Sequence, residues 1–325
     1  MPDYDKDQVQ EPELYTPDKS LASTSDQVQI LVNALVDNYQ IARRDIPPRE
    51  LKAMLQGRDL AGRDLELYES WLAKAHSHFR EASNRDLTLT FASEWVLDNY
   101  YIIRQALEQI SEDLSPGYYK QLPKLTSGPL KGLPRIYAIA RGILSTQQYL
   151  LNPIDSQTIL IQLQYRVPLT LGELWALPIF LRYSLIETLA HALERVIHPQ
   201  KPPHLPVSPP QLPGTAEPVE ANQAAPGDTT ANKTVANVIL SLRGISEQNW
   251  NEFFESVSRL ERILREDPSG IYPLMDFKTR DLYRKEIESL SFATGREENE
   301  LAEITLDLAR KSSLAGPKTA QAQPG

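Results

Sequence analysis

What most limits the shape this chain can take is the interval at which its apolar residues recur. In the stretch that begins "EWVLDNYYIIR", Val96, Tyr100, Ile103, Leu107, Ile110 and Leu114 fall alternately four and three residues apart. That interval draws one continuous apolar seam along a single side of an α-helix. A second series, Glu94, Asp98, Tyr101, Gln105, Glu108 and Glu112, keeps the same interval but starts two residues earlier. At about 100° per residue it lies roughly 160° around the helix from the seam. One side is therefore built for a core and the other for water.

The helical interval returns along most of the chain. Val28, Leu31 and Leu35 follow Ser25 or Asp26, either of which is placed to cap. Further helices are predicted near 63–85, 88–114, 133–151 and 170–198. The breaks between segments carry the expected residues: "PP" at 47–48, "SPG" at 115–117, "SGPLKGLP" at 127–134 and "NP" at 152–153. Thr170 precedes Glu173 by three positions, the pattern of a capping box.

Residues 199–231 differ in kind. Proline recurs through them, aromatics vanish and the apolar residues show no period. Proline fixes φ and lacks a donor, so this segment reads as a partly extended linker. Helical patterning resumes with "NVILSLR". Ser246 stands where an N-cap is expected for a helix in which Trp250, Phe253, Val257, Leu260 and Leu264 share a face. Two more helices are predicted near 278–291 and 296–311, with Thr294 and Glu297 as a second capping-box pattern. "QTILIQLQYRVPL" reads either way, since Ile159, Ile161 and Leu163 alternate with more polar positions.

No series of short alternating β-branched runs occurs. The expected class is mostly α: a disordered lead-in at 1–22, a multi-helix bundle-like domain at 23–198, a proline-rich linker at 199–231, a smaller helical segment at 232–311 and a disordered tail at 312–325. The sequence leaves open whether the second helical set packs back on the first.

Composition narrows the function classes. A chain of 325 residues has ample material for a core, and 41% hydrophobic with 24% charged residues is globular usage. A net charge of −9 argues against a nucleic-acid binder and against docking on anionic lipid through a polybasic patch. The absence of cysteine rules out disulfides, thiolate nucleophiles and cysteine-ligated metals. "MPDYDKDQVQEPELYTPDKS" lacks the apolar core of a secretory signal. The most apolar stretch, "LGELWALPIFLRYSLIETLAHAL", is interrupted by Glu173, Arg182 and Glu187, whereas a membrane span needs about 20 mostly apolar residues. The chain is therefore expected to be soluble and cytoplasmic, with no direct membrane span and no nucleic-acid partner.

Signatures of chemistry are sparse. Glu94 and Asp98 beside Trp95, Tyr100 and Tyr101 resemble one wall of a sugar cleft, yet their placement opposite the seam is that of a solvated stripe. A glycosidase pair would also need a second carboxylate facing the first across the substrate. His76, His78, His191, His198 and His204 contain no HExxH, so no metal site is expected. "GPLKGLP" lacks both GxGxxG and GxxxxGK[ST], and no GxSxG occurs. Asp3, Asp5 and Asp7 in "DYDKD" fall in the lead-in with no strand to position them. Arg135, Tyr137 and Arg141 in "PRIYAIAR" could stack a sugar or base, but an arginine there more commonly pairs with a carboxylate. For Glu173 and Trp175 in "GELWALP", cap and core are the commoner roles. No cofactor is expected.

Several stretches taken together resemble the N-terminal region of the cyclic β-1,2-glucan synthases. These are "EWVLDNYYIIRQALEQISEDLSPGYYKQLPKL" at 94–125, "GPLKGLPRIYAIA" at 128–140 and "PLTLGELWALPIFLR" at 168–182. Beyond the prolines follow "SVSRLERILREDPSGIY" at 256–272 and "DFKTRDLYRKEIE" at 276–288. The resemblance covers 85–198 and 232–310. It implies large inner-membrane proteins that use UDP-glucose to build β-1,2-linked glucan on a protein-bound intermediate and then cyclise it. Their membrane spans, transferase domain and phosphorylase-like domain lie downstream of the matched region. Trp71, Trp95, Trp175 and Trp250 do not follow the [QR]xxR pattern of processive transferases, so no catalytic residue carries over.

Three readings follow. The first is a non-catalytic helical region, truncated or separately encoded. It would serve assembly or regulation of glucan synthesis at the cytoplasmic face of the inner membrane, with the remainder of the synthase or its subunits as partner. The second is a stand-alone sugar-binding or carbohydrate-active protein in which Glu94, Asp98, Tyr101, Arg135, Glu173 and Trp175 converge. The third is a partner-binding scaffold.

Overall fold

A computed structural model describes residues 29–36, 49, 59–197, 204–207 and 229–314. The expected caps at Ser25 and Asp26, the acidic triplets in "DYDKD", His198 and most of the proline-rich segment lie outside them. The described residues are predominantly helical, and their one ladder-like contact is an isolated antiparallel bridge between Lys124 and Pro134. The class is mostly α, as the patterning predicts.

After a helical stretch at 29–36, the helices are α1 (Arg63–Asn84), α2 (Phe91–Asp113), α3 (Pro116–Gln121), α4 (Arg135–Thr146), α5 (Pro153–Arg166) and α6 (Leu171–Ile197). Beyond the proline-rich segment come α7 (Thr229–Glu247), α8 (Trp250–Val257), α9 (Arg259–Leu264), a 3₁₀ turn at Tyr272–Leu274, α10 (Phe277–Thr294) and α11 (Glu298–Leu314).

The axis of the molecule is α6. It is buried on every side, with Leu177, Phe180, Tyr183, Ile186 and Leu189 essentially inaccessible. A helix apolar all round belongs inside a protein or a membrane, and here α1, α2, α4 and α7 surround it. No helix of the described residues is long and apolar enough to cross a membrane. The seam on α2 is placed as its spacing predicts: Val96, Ile103, Leu107, Ile110 and Leu114 are buried, while Glu94, Asp98 and Tyr101 face water. A kink at Asn99 interrupts α2. The Asn99 amide donates to the Trp95 carbonyl at 2.9 Å and accepts from Arg243 of α7 at 2.9 Å. A side chain inserted into the backbone ladder is a usual cause of a kink.

The structure answers the packing question that the sequence leaves open. Val235, Val238, Ile239, Leu242 and Ile245 of α7 and Phe253, Phe254 and Val257 of α8 complete the same core as α1–α6. A second, smaller core gathers Leu260, Leu264, Tyr272, Ile287 and Ala302 from α9–α11 and the 3₁₀ turn.

Several local expectations are corrected. The helix predicted at 133–151 ends at Thr146, because Gln148 (φ 50°) and Tyr149 (φ 62°) turn left-handed. "QTILIQLQYR" is helical, opened by Pro153 and capped by the Asn152 side chain, which accepts from the amide of Ile154 at 2.9 Å. Ser246 caps nothing. α7 runs through it, its hydroxyl donates back to the Arg243 carbonyl, and Asn249 caps α8 instead. The single helix expected after it divides at Ser258, which caps α9 through the Glu261 amide at 3.1 Å. The Thr294–Glu297 box does not form either. α10 runs on to Thr294 and stops at Gly295, in the left-handed conformation (φ 71°) that glycine adopts without a Cβ clash.

Candidate functional site

Polar groups buried inside a protein are where chemistry would be sought first, because burial shifts their charge states. Three such clusters stand out, and in each the central carboxylate is closed by its own partners.

The first lies at the N-terminus of α6. The loop from Pro123 to Pro134 folds back on itself, with Leu125 bonded to Leu133 and Arg135 to Pro123 through their backbones at 3.0 and 2.9 Å. This sets Arg135 at the start of α4, facing Glu173. Its Nε and Nη2 reach the two carboxylate oxygens at 2.8 and 2.5 Å, a bidentate fork, and Nη2 also donates to the Pro168 carbonyl at 3.1 Å. Glu173 is simultaneously the second half of the capping box. Thr170 N donates to Oε2 at 3.0 Å, and Glu173 N donates to the Thr170 hydroxyl at 3.2 Å. Another orphan amide, that of Leu171, donates to Glu298 of α11 at 2.7 Å. Burial opposes the Arg135 charge, but Glu173 outweighs it and holds the guanidinium above its ordinary range. Nearby, Lys124 is almost wholly buried and donates to the carbonyls of Tyr119 and, at 2.8 Å, Leu122. Burial pushes its amine down to about 7.

The second cluster surrounds Glu187 in the middle of α6. Tyr68 of α1 and Tyr137 of α4 donate their hydroxyls to its two oxygens at 2.9 and 2.7 Å, and Arg141 pairs with it. The third lies in the small core. There Glu261 accepts from Arg284 at 2.6 Å, Tyr272 at 2.8 Å and Arg265 at 2.7 Å, while Arg280 forks onto Glu255. The Arg284 guanidinium lies between the rings of Phe254 and Phe277, 5.1 and 4.8 Å from their centroids. Phe254 in turn stacks on Trp175 at 4.7 Å with the planes 11° apart.

The structure therefore unites Arg135 with Glu173 and puts Trp175 two residues on, half-buried and stacked on Phe254 against the core. Glu94, Asp98 and Tyr101 remain on the outer face of α2. No hydrogen bond, ion pair or ring contact joins them to the other three candidates. The crevice lined by Trp175, Leu177, Pro178, Trp250 and Phe254 is apolar, with a cavity volume of about 10 Å³. That is about the room one water needs, far short of a sugar ring. Among the described residues no group of three His, Asp or Glu side chains is gathered as a metal site requires.

Sequence reasoning did not single out Lys124, Glu261 or Arg284 as hubs. Glu187 did carry a signal: a charged residue within the most apolar stretch of the chain must be paired if that stretch is buried.

No family model matches the chain. It is related in sequence to the cyclic beta-(1,2)-glucan synthase NdvB of Rhizobium meliloti (strain 1021), with 28% identity over 294 residues. The alignment takes in 73% of this chain and 10% of that protein, so the chain spans about a tenth of its relative's length.

Proposed function

Proceeding from that relationship, we propose that this chain is a non-catalytic helical module acting in the assembly or regulation of β-1,2-glucan synthesis. Its place would be the cytoplasmic face of the membrane that carries the synthase. The observation that carries the reading is the relationship itself, which takes in 73% of this chain. The closure of the buried clusters supports it. Glu173, Glu187 and Glu261 each spend their oxygens on arginines, tyrosine hydroxyls or backbone amides of this chain. A carboxylate so engaged is poised to hold helices together, not to exchange protons with a substrate.

Two measurements test this. Calorimetric titration with UDP-glucose and a glucosyl-transfer assay should show neither binding nor turnover, and turnover overturns the proposal. Purified protein mixed with membranes containing a β-1,2-glucan synthase should sediment with them and change the rate of glucan formation. Sedimentation no greater than with membranes lacking the synthase counts against it.

A second reading is favoured by one observation. Phe91 is half exposed, its ring lies 5.8 Å from that of half-buried Trp95, and Glu94 and Asp98 flank the pair on the outer face of α2. Aromatic rings beside carboxylates suit a sugar face and its hydroxyls. Quenching of tryptophan fluorescence by β-1,2-linked gluco-oligosaccharides, abolished in Trp95→Ala, is the result that reading requires.

A further inference from the structure

The turn between α4 and α5 is strained in a way its own sequence does not explain. Gln148 and Tyr149 are consecutive non-glycine residues with φ of 50° and 62°. Each left-handed L-residue is disfavoured by roughly five- to thirtyfold in population, and such residues usually occur singly. No residue type in the turn favours two in a row, since no glycine, asparagine or aspartate stands at 147–151; locally the turn has the bond from the Tyr149 amide to the Leu144 carbonyl at 2.8 Å.

Beyond that local bond, what opposes the strain comes from α7, some ninety residues later in the chain. Lys233, Asn237 and Ser241, each four residues apart, form a polar row on a helix whose other side fills the core. Asn237 donates to the Gln148 carbonyl at 2.9 Å, and Lys233 donates to the Gln148 side chain at 3.2 Å. Ser241 is used twice, donating to the Tyr149 carbonyl at 2.8 Å and accepting from the Leu151 amide at 2.8 Å. Asn237 and Ser241 are nearly inaccessible to water. Their bonding capacity would be lost if the turn relaxed, and an unmet buried polar group is costly.

We infer that the 147–151 turn is a two-state element, and that docking of α7 holds it in the left-handed state. The consequence reaches further through α5. The Gln147 side chain accepts from the Asn152 amide at 2.6 Å and donates to Ser156 at 3.2 Å, so the turn sets the start of that helix. At its far end Gln164 donates to the Val257 carbonyl at 2.6 Å, where α8 meets the small C-terminal core. The docking state of α7 is thereby linked to the seating of α8. This inference is independent of any role in glucan synthesis.

A double-mutant cycle tests it. Gln148→Gly removes the left-handed penalty at an exposed position, so in the native background it should raise the folding equilibrium constant about fivefold. In a Ser241→Ala background, where the turn is free to relax to right-handed geometry, the same change should give no gain or a loss. Asn237→Ala serves as a second, independent background should the first fold poorly. Amide exchange gives a separate readout. The Tyr149 amide donates to the Leu144 carbonyl within α4 and not to α7, so its exchange should quicken about tenfold in Ser241→Ala only if the turn itself changes. An equal glycine gain in both backgrounds, together with an unchanged Tyr149 amide, overturns the inference.

Discussion

Arg284→Met removes the centre of the small core while keeping most of its aliphatic length. Arg284 is fully buried, bonded to Glu261 at 2.6 Å and to Glu255 at 3.3 Å, and held between two phenylalanine rings. Breaking a buried ion pair by deleting one partner typically costs about 3–5 kcal/mol. The lower end applies here because Glu261 keeps Arg265 and the Tyr272 hydroxyl, at 2.7 and 2.8 Å. The lost attraction to Phe254 and Phe277 acts the other way, at roughly 0.5–2 kcal/mol for each ring. Together the two terms give an expected loss of at least about 4 kcal/mol. The small core is distinct from the main one, so the loss should fall chiefly on α9–α11. Urea unfolding followed by residue-resolved hydrogen exchange measures both amount and place. Adding Glu261→Gln, which removes the residual charge, should recover part of the loss. A cost below about 1 kcal/mol, or equal weakening of α6 and α10, refutes the reasoning.

Other perturbations probe the remaining clusters. Lys124 is largely neutral in the fold above about pH 7 but charged in the unfolded chain up to its ordinary value of 10.5. The unfolded chain therefore binds the extra proton in that window, and stability should rise with pH by at most about 1.4 kcal/mol per unit. Lys124→Met should flatten that rise in pH-dependent urea midpoints. Above pH 10 the trend should reverse, because burial keeps Tyr118 and Tyr272 protonated when they would ionise in the unfolded chain. Glu298→Ala leaves the Leu171 amide without its acceptor, and thermal melts should show a loss of about 1 kcal/mol. Glu94→Gln and Asp98→Asn, on the exposed face of α2, should leave the melting midpoint within about 0.5 kcal/mol of the native protein.

How far the residues could be read in advance depended on how local the physics is. The α2 seam, the Thr170–Glu173 capping box and the pairing of Arg135 with a carboxylate were legible because each rests on spacing within one helix or on a strong chemical preference. Ser246 and the Thr294–Glu297 pair failed for the opposite reason. Burial of Ile245 and the C-cap at Gly295 carried α7 and α10 past the expected boundaries. Which arginine meets Glu173, and which ring meets Trp175, could not be read from spacing, since Phe254 is distant in sequence.

The sequence by itself determined that the chain is helical, which faces of its helices are wet, and that charges inside the α6 stretch needed partners, because periodicity and the cost of burying charge act on any chain. Only the tertiary structure decided that α7 and α8 join the first core while α9–α11 build another. It alone set Glu298 on the N-terminus of α6 and bent Gln148 and Tyr149 into left-handed geometry. Those outcomes depend on contacts between residues tens of positions apart, whose energies exceed the local preferences that a one-dimensional reading can weigh.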